Sequence, residues 1–323
     1  MKTRLPRSLP WRADNSRHHQ KVIRVGTCSW TDPTLVKDGD FYPPEVKTPE
    51  QRLRFYSRQF PIVEIDTTYY HLPDVDSARA WAERTPEGFI FDVKAYALLT
   101  LHPAPTRSLP ADLRAELPPD LSVKRNVYWR DVNEELGAEI WSRFRQALAP
   151  LQAAGKLGAV LLQFPAWVFP SHESREHIRA ARNALAGIRC AIEFRHGSWL
   201  NDKNRQRTFD FLREEGLAYV CVDEPQGFKS SVPPVLEVTD PSLSIVRFHG
   251  HNAQAWQARG ITASERFRYL YSSGELKDWA PRLNSLAERS SETHALMNNC
   301  YRDFAVRNAA ELSRLLTANT LSS

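Results

Sequence analysis

Short apolar runs recur along the chain, and each turns polar at its end. In Ala191–Leu200, AIEFRHGSWL, Ile192 and Phe194 fall on one side of a strand and Ala191, Glu193 and Arg195 on the other, because side chains alternate along a strand. Ile62–Asp66 sets Glu64 and Asp66 against Val63 and Ile65, and Ile90–Lys94 sets Asp92 and Lys94 against Phe91 and Val93. Tyr219–Asp223 sets Asp223 against Val220 and Val222, and Ile245–His249 sets Arg247 and His249 against Val246 and Phe248. Val22–Cys28, Ala159–Gln163 and Thr293–Asn298 bring the predicted strands to eight. An apolar side for covering helices and a side that turns polar at the C-terminal end are what a parallel barrel needs, with the strand ends forming a site. The fold class expected is α/β, a TIM-type (β/α)8 barrel.

Helical spacing fills most of the gaps. Thr48 caps a helix opening on Pro49-Glu50-Gln51, with proline at the first helical position and a buried stripe of Leu53, Phe55 or Tyr56, and Phe60. Asp76 or Ser77 caps a short helix through Arg84, Asn133 a long one through Ala154, and Ser171 one reaching Leu185. Further helices are expected over Lys203–Glu215, stopped by Gly216, and over Glu275–Glu288 and Asp303–Leu316. Pro225, Pro233, Pro234 and Pro241 leave the sixth helix irregular or missing. Five prolines across residues 95–132 forbid a long regular element after the third strand. That long loop carries the basic, aromatic Lys124–Arg130, and reads either as a lid over the mouth or as a surface excursion. Residues 1–21 are expected to be a basic, disordered tail, and residues 22–318 a single barrel domain.

Composition narrows the class. An apolar share of 42% with 25% charged residues is that of a water-soluble globular chain. No apolar run is long enough to span a membrane, and no secretory signal is expected at the N-terminus. Cys28, Cys190, Cys221 and Cys300 are scattered without a CxxC pair, so reduced thiols in a cytoplasmic protein are expected. The net charge of +5 permits an anionic ligand.

The predicted strand ends gather a dense polar set. Glu64, Glu193, Asp223 and His249 are the candidate catalytic groups. Asp66, Lys94, Gln163, Arg195, Arg247, Asn252, Asn298 and Asn299 are candidate substrate contacts, joined by Trp30, Tyr70 and Trp199 as stacking surfaces. The bland alternative is a self-compensating barrel core, with Glu64 answered by Lys94, since buried charges are costly unless paired. The functional alternative makes Glu64 and Glu193 acid and base, with the three cations binding phosphate or carboxylate.

The motifs GTCSW (Gly26–Trp30), FYP (Phe41–Pro43), VEIDTTYYHLP (Val63–Pro73), the Trp81–Lys94 run, LLQFP (Leu161–Pro165), IEFRHGSW (Ile192–Trp199), VDEP (Val222–Pro225), VRFHGHN (Val246–Asn252) and NNC (Asn298–Cys300) resemble the YecE-like family, domain of unknown function 72. The resemblance runs from Val22 to Leu316. It implies a TIM-type barrel and brings no reaction with it. Where the family commonly has Asn, Phe and Arg, this chain has Asp66, Tyr69 and His251, and the family's Ile-Thr-His is here Thr100-Leu101-His102.

The leading expectation is an enzyme acting on a small polar or anionic compound, carbohydrate- or phosphate-like, by acid/base chemistry of the hydrolase or isomerase type. The alternatives are a nucleic-acid-binding protein, motivated by the basic tail and Lys124–Arg130, a metal-dependent isomerase or hydrolase, and a non-catalytic scaffold. Glu64, Glu193, Asp223 and His249 would suit a divalent metal. Lys94, Arg195 and Arg247 in the same mouth weaken the field for one, so no cofactor or tightly bound metal is expected.

Overall fold

The computed structural model describes residues 22–320; the expected basic tail lies outside them. Eight parallel strands close into a barrel: β1 (Val22–Thr27), β2 (Ile62–Ile65), β3 (Ile90–Lys94), β4 (Leu157–Gln163), β5 (Cys190–Glu193), β6 (Ala218–Asp223), β7 (Leu243–Phe248) and β8 (Glu292–Met297). Each strand pairs with its sequence neighbours, and β1 pairs with both β8 and β2. The β1–β2 seam has one register pair, Thr27 with Val63. Tyr56 secures it from outside: its hydroxyl accepts the Thr27 N–H at 2.9 Å and donates to the Ile62 carbonyl at 3.1 Å. Gly26 is required there, since a Cβ would lie 2.1 Å from the Ile62 carbonyl oxygen.

The main helices are α1 (Pro49–Tyr56), α2 (Val75–Glu83), α3 (Glu134–Ala153), α4 (His172–Ala184), α5 (Arg205–Glu214), α6 (Ser273–Ala287) and α7 (Phe304–Thr320). Thr48 and Gln51 form the capping box of α1, and Asn133 and Ser171 cap α3 and α4 as expected. The cap of α2 is Asp74 rather than Asp76 or Ser77, because its carboxylate takes both the Ser77 N–H and the Ser77 hydroxyl. Ser272 and Glu275 box the start of α6 two residues before the expected one. On α3, Ile140, Phe144, Leu148 and Leu151 are fully buried, each stabilising by roughly 1.5–3 kcal/mol relative to exposure.

Among the described residues no helix lies between β6 and β7. The loop after β3 breaks into pieces of five residues or fewer before α3. His102 near its start packs edge-on to Tyr69 with ring centroids 5.2 Å apart, and further along Asp112 pairs with Arg143 of α3 at 2.5 Å and Trp129 packs on Gly137. Lys124 pairs with Asp120 at 3.8 Å, and Trp129 meets His177 with ring centroids 5.3 Å apart, so the basic aromatic segment lies on the flank.

Candidate functional site

Register decides which side chains meet inside the barrel. Gln163 pairs with Glu193, and Val222 with Arg247, and paired residues of parallel strands share a face. Glu64, Glu193 and Arg247 therefore point inward near the C-terminal end. Arg247 is 1% exposed and sits between the two carboxylates. Its Nε and Nη2 donate to both oxygens of Glu64 at 2.9 and 2.8 Å, and its Nη1 donates to Glu193 Oε2. Nη2 also reaches Asn298 Oδ1 at 3.4 Å and the Cys28 sulfur at 3.6 Å. Burying three charges costs several kcal/mol per ion, and the paired geometry offsets it.

A second tier lies above. Arg195 continues the line of β5 past its last ladder residue and donates to Glu193 Oε1 at 3.1 Å. His249 Nε2 is 3.2 Å from the same oxygen. Because Asn298 Oδ1 faces Arg247, its Nδ2 faces His249 Nδ1 at 2.8 Å. Arg195 Nη1, which can only donate, lies 3.0 Å from His249 Nε2. Burial drives His249 down to about 3, and the ring is neutral at physiological pH. Burial alone would raise the Glu193 carboxyl; Arg247, with His249 and Arg195, outweighs it and holds the group well below the usual carboxylate range.

Three groups at this end remain unsaturated. Burial, reinforced by Glu64, pushes Asp66 up to about 7. Burial also pushes Glu224 up to about 7, against Arg195 and the Val232 N–H that one of its oxygens accepts at 2.8 Å. The other Glu224 oxygen has no hydrogen-bond partner and lies 3.8 Å from Arg195 Nη1. Among the described residues the Lys94 ammonium makes no hydrogen bond or ion pair; it lies 4.4 Å from the centre of the Tyr69 ring. Burial, then Arg247, lowers its pKa.

The segment between β7 and α6 forms the cover. Trp256 lies over Arg195 at 4.9 Å, and Phe267 stacks on His249 with centroids 5.6 Å apart. Tyr271 fixes the segment, accepting the Gly250 N–H at 2.9 Å and donating to Asp223 at 2.7 Å. His251 bridges Asp223 at 3.0 Å and Glu275 at 3.3 Å.

Of the candidate residues, Glu64, Asp66, Lys94, Glu193, Arg195, Arg247, His249 and Asn298 are brought together. Gln163 shares the inner face with Glu193, and Tyr70, 55% exposed, stands at the rim. Five others lie elsewhere. Asp223 pairs with Phe248, whose ring packs on Trp279 of α6, so its carboxylate points outward to the helix layer. Trp199 stacks on Phe194 at 4.1 Å and donates to the Val168 carbonyl, inside the helix layer. Trp30 packs edge-on to Trp81 and Phe91. Asn252 caps the short helix Ala253–Trp256, and Asn299 donates to Tyr269 and Asn308, bracing the cover. Glu64 and Glu193 are not a free acid/base pair, because guanidinium or imidazole groups occupy their oxygens. Glu224 takes the place expected of Asp223. Its signal is the phase Val220, Val222, Glu224, which continues the inner face.

The proposed metal quartet is split by the outward turn of Asp223, and among the described residues no three His, Cys, Asp or Glu side chains converge as ligands. No helix among them is long and apolar enough to cross a membrane.

Residues 24–322 match the family described as protein of unknown function DUF72. The chain belongs to this family. A relative, the UPF0759 protein YunF of Bacillus subtilis (strain 168), is 33% identical over 298 residues, covering 91% of this chain and 95% of that protein. A DUF72 family protein of Thermotoga maritima MSB8 superposes with a TM-score of 0.71 at 29% identity, covering 92% of this chain and 99% of that one. Another, from Enterococcus faecalis V583, gives 0.72 at 25% identity over 92% and 96%.

Proposed function

We propose that the protein is an enzyme moving protons on a small, polar, anionic compound, carbohydrate- or phosphate-like, held at the C-terminal mouth of the barrel. The observation that carries this reading is the separation of carboxyl groups at one mouth: Glu193 is held well below its usual range, while Asp66 and Glu224 are pushed up to about 7. Groups poised near neutrality both give and take protons efficiently, and environments that drive like groups apart mark acid and base roles. Asp66 and Glu224 are the proton carriers. The Glu64–Arg247–Glu193 bridge is the rigid platform that orients Arg195 and His249. With both carriers protonated, Arg195 and Arg247 match the two carboxylates bound to Arg247, and whatever charge Lys94 carries favours an anion. The four cysteines are free thiols, which supports a reducing, cytoplasmic setting.

Thermal unfolding with sugar phosphates, hydroxy acids and neutral glycosides tests the reading. An anionic compound should raise the midpoint, more at pH 6 than at pH 8, because ionising Asp66 and Glu224 opposes it. Equal stabilisation by neutral glycosides, or none across the panel, would refute it.

A further inference from the structure

Lys94 has a chemistry that proton transfer leaves unused. It ends β3, in register with Leu161 on the inner face, and its side chain is partly accessible. Glu64, Glu193 and Asp66 lie close enough to raise its basicity, but none forms an ion pair with it. Arg247 occupies Glu64 and Glu193, and the ammonium instead rests against the Tyr69 ring at 4.4 Å. Asp66 and Arg247 both lie within its electrostatic reach. An amine that is desolvated, beside a fixed cation and without a carboxylate clamp is the environment in which lysine becomes a nucleophile toward carbonyl carbon.

We propose that Lys94 forms a Schiff base with a small aldehyde or ketone, and that Asp66 carries the protons. This rests on the reading of the mouth as an acid/base site and narrows its substrate to carbonyl compounds. The Nζ lone pair attacks the carbonyl carbon, and the C=O π pair moves to oxygen, which takes the Asp66 proton. The resulting ammonium nitrogen returns a proton to Asp66. The hydroxyl then leaves as water on receiving that proton, and the nitrogen lone pair closes the C=N bond. One amine, one carbonyl and one proton give one iminium and one water.

Lowered basicity from burial supports the assignment, since it enlarges the neutral amine fraction. The Tyr69 face shields one side of the nitrogen. Asp66 supplies what a lysine alone lacks, a carboxyl pushed up to about 7 that is both acid and base in neutral solution.

Reductive trapping tests this on the full-length protein. The protein is incubated at pH 7 with dihydroxyacetone, pyruvate or dihydroxyacetone phosphate, each with cyanoborohydride, and lysine adducts are followed over time by peptide mass spectrometry. With at least one probe Lys94 should be labelled at least tenfold faster than the exposed Lys37, Lys47 and Lys124. Asp66→Asn should slow Lys94 at least fivefold and leave the surface lysines unchanged, with a native unfolding transition as the check on folding. Labelling of Lys94 no faster than the surface lysines with all three probes overturns the proposal. So does labelling indifferent to Asp66→Asn. If anions still stabilise the protein while Lys94 stays unlabelled, the Schiff base fails and the proton-transfer reading stands; if neither occurs, both fail.

Discussion

The barrel interior carries charge at both ends of the same eight strands, and the two ends use it differently. At the N-terminal end Glu292 accepts Arg24 at 3.1 Å on one oxygen and Arg189 at 2.7 Å on the other, and Asp92 pairs with His294 at 2.8 Å. Arg24 and Arg189 also donate to the Gly88 and Gly158 carbonyls. Arg24, Arg189 and Glu292 are mutually paired, and Lys156 donates to the Ala82 and Thr85 carbonyls, while Asp92 Oδ1 and His294 Nε2 have no hydrogen-bond partner. At the C-terminal end the Glu64–Arg247–Glu193 bridge is closed in the same way as the Glu292 pairing, but above it Lys94 has no counterion and Asp66 and Glu224 titrate near 7. Polar burial therefore does not by itself mark a site. Pairing that saturates the charge holds the barrel together; groups left unsaturated above such pairing can do chemistry.

Four experiments break or sharpen that contrast. The largest effect is expected from Arg247→Met, which leaves Glu64 and Glu193 buried without their cation and should cost about 3–5 kcal/mol in urea unfolding. Adding Glu64→Gln and Glu193→Gln should recover much of the loss, since the penalty lies in the unpaired charges. At the opposite end Gly158→Ala would place a Cβ 2.3 Å from Asp92 Oδ1 and 2.6 Å from Ile90 Cγ2, so a loss of about 1–3 kcal/mol is expected. Glu292 tests the closed pairing by pH. Burial raises its carboxyl, but His294, Arg189 and Arg24 outweigh this and bring it from 4.5 down to about 2. Its contribution is present above the unfolded value and fades as pH falls toward 2. Wild type should thus exceed Glu292→Gln at pH 6, by on the order of 1 kcal/mol after screening, and match it near pH 2. The smallest effect is at His251, raised by its bond to Asp223 against the cost of burial. The sign is opposite: its contribution is complete below the unfolded histidine value and lost as pH rises through the folded one. The side chain is 37% exposed, so His251→Gln should cost less than about 1 kcal/mol, at acid pH only.

The strand count, the missing sixth helix and most of the mouth were legible because β2, β5 and β7 carry charge on one face only. Strand β6 shows the limit. Its outer face, Tyr219 and Cys221, is as apolar as its inner face, Val220 and Val222, and all four are buried. In a parallel sheet covered on both sides alternation does not say which face is inner, so Asp223 reads as inward when Glu224 is. Tryptophans are ambiguous for the same reason: Trp199 and Trp30 follow strand ends yet fold back between strands and helices. The cover was hidden too. Its hold on the mouth comes from Tyr271 meeting Asp223 across 48 positions of sequence, whereas the proline-rich loop that resembles a lid packs on α3.

The account turns on two carboxyl groups that change protonation at neutral pH above Glu193, which is held well below that range. The most direct measurement is a carboxyl-carbon NMR titration of protein labelled at Asp and Glu, from pH 4 to pH 9, with signals assigned through Asp66→Asn and Glu224→Gln. Asp66 and Glu224 should titrate with midpoints near 7, and Glu193 should stay ionised throughout. Midpoints for both near the ordinary value of 4 would place no proton carrier at the mouth and contradict the account.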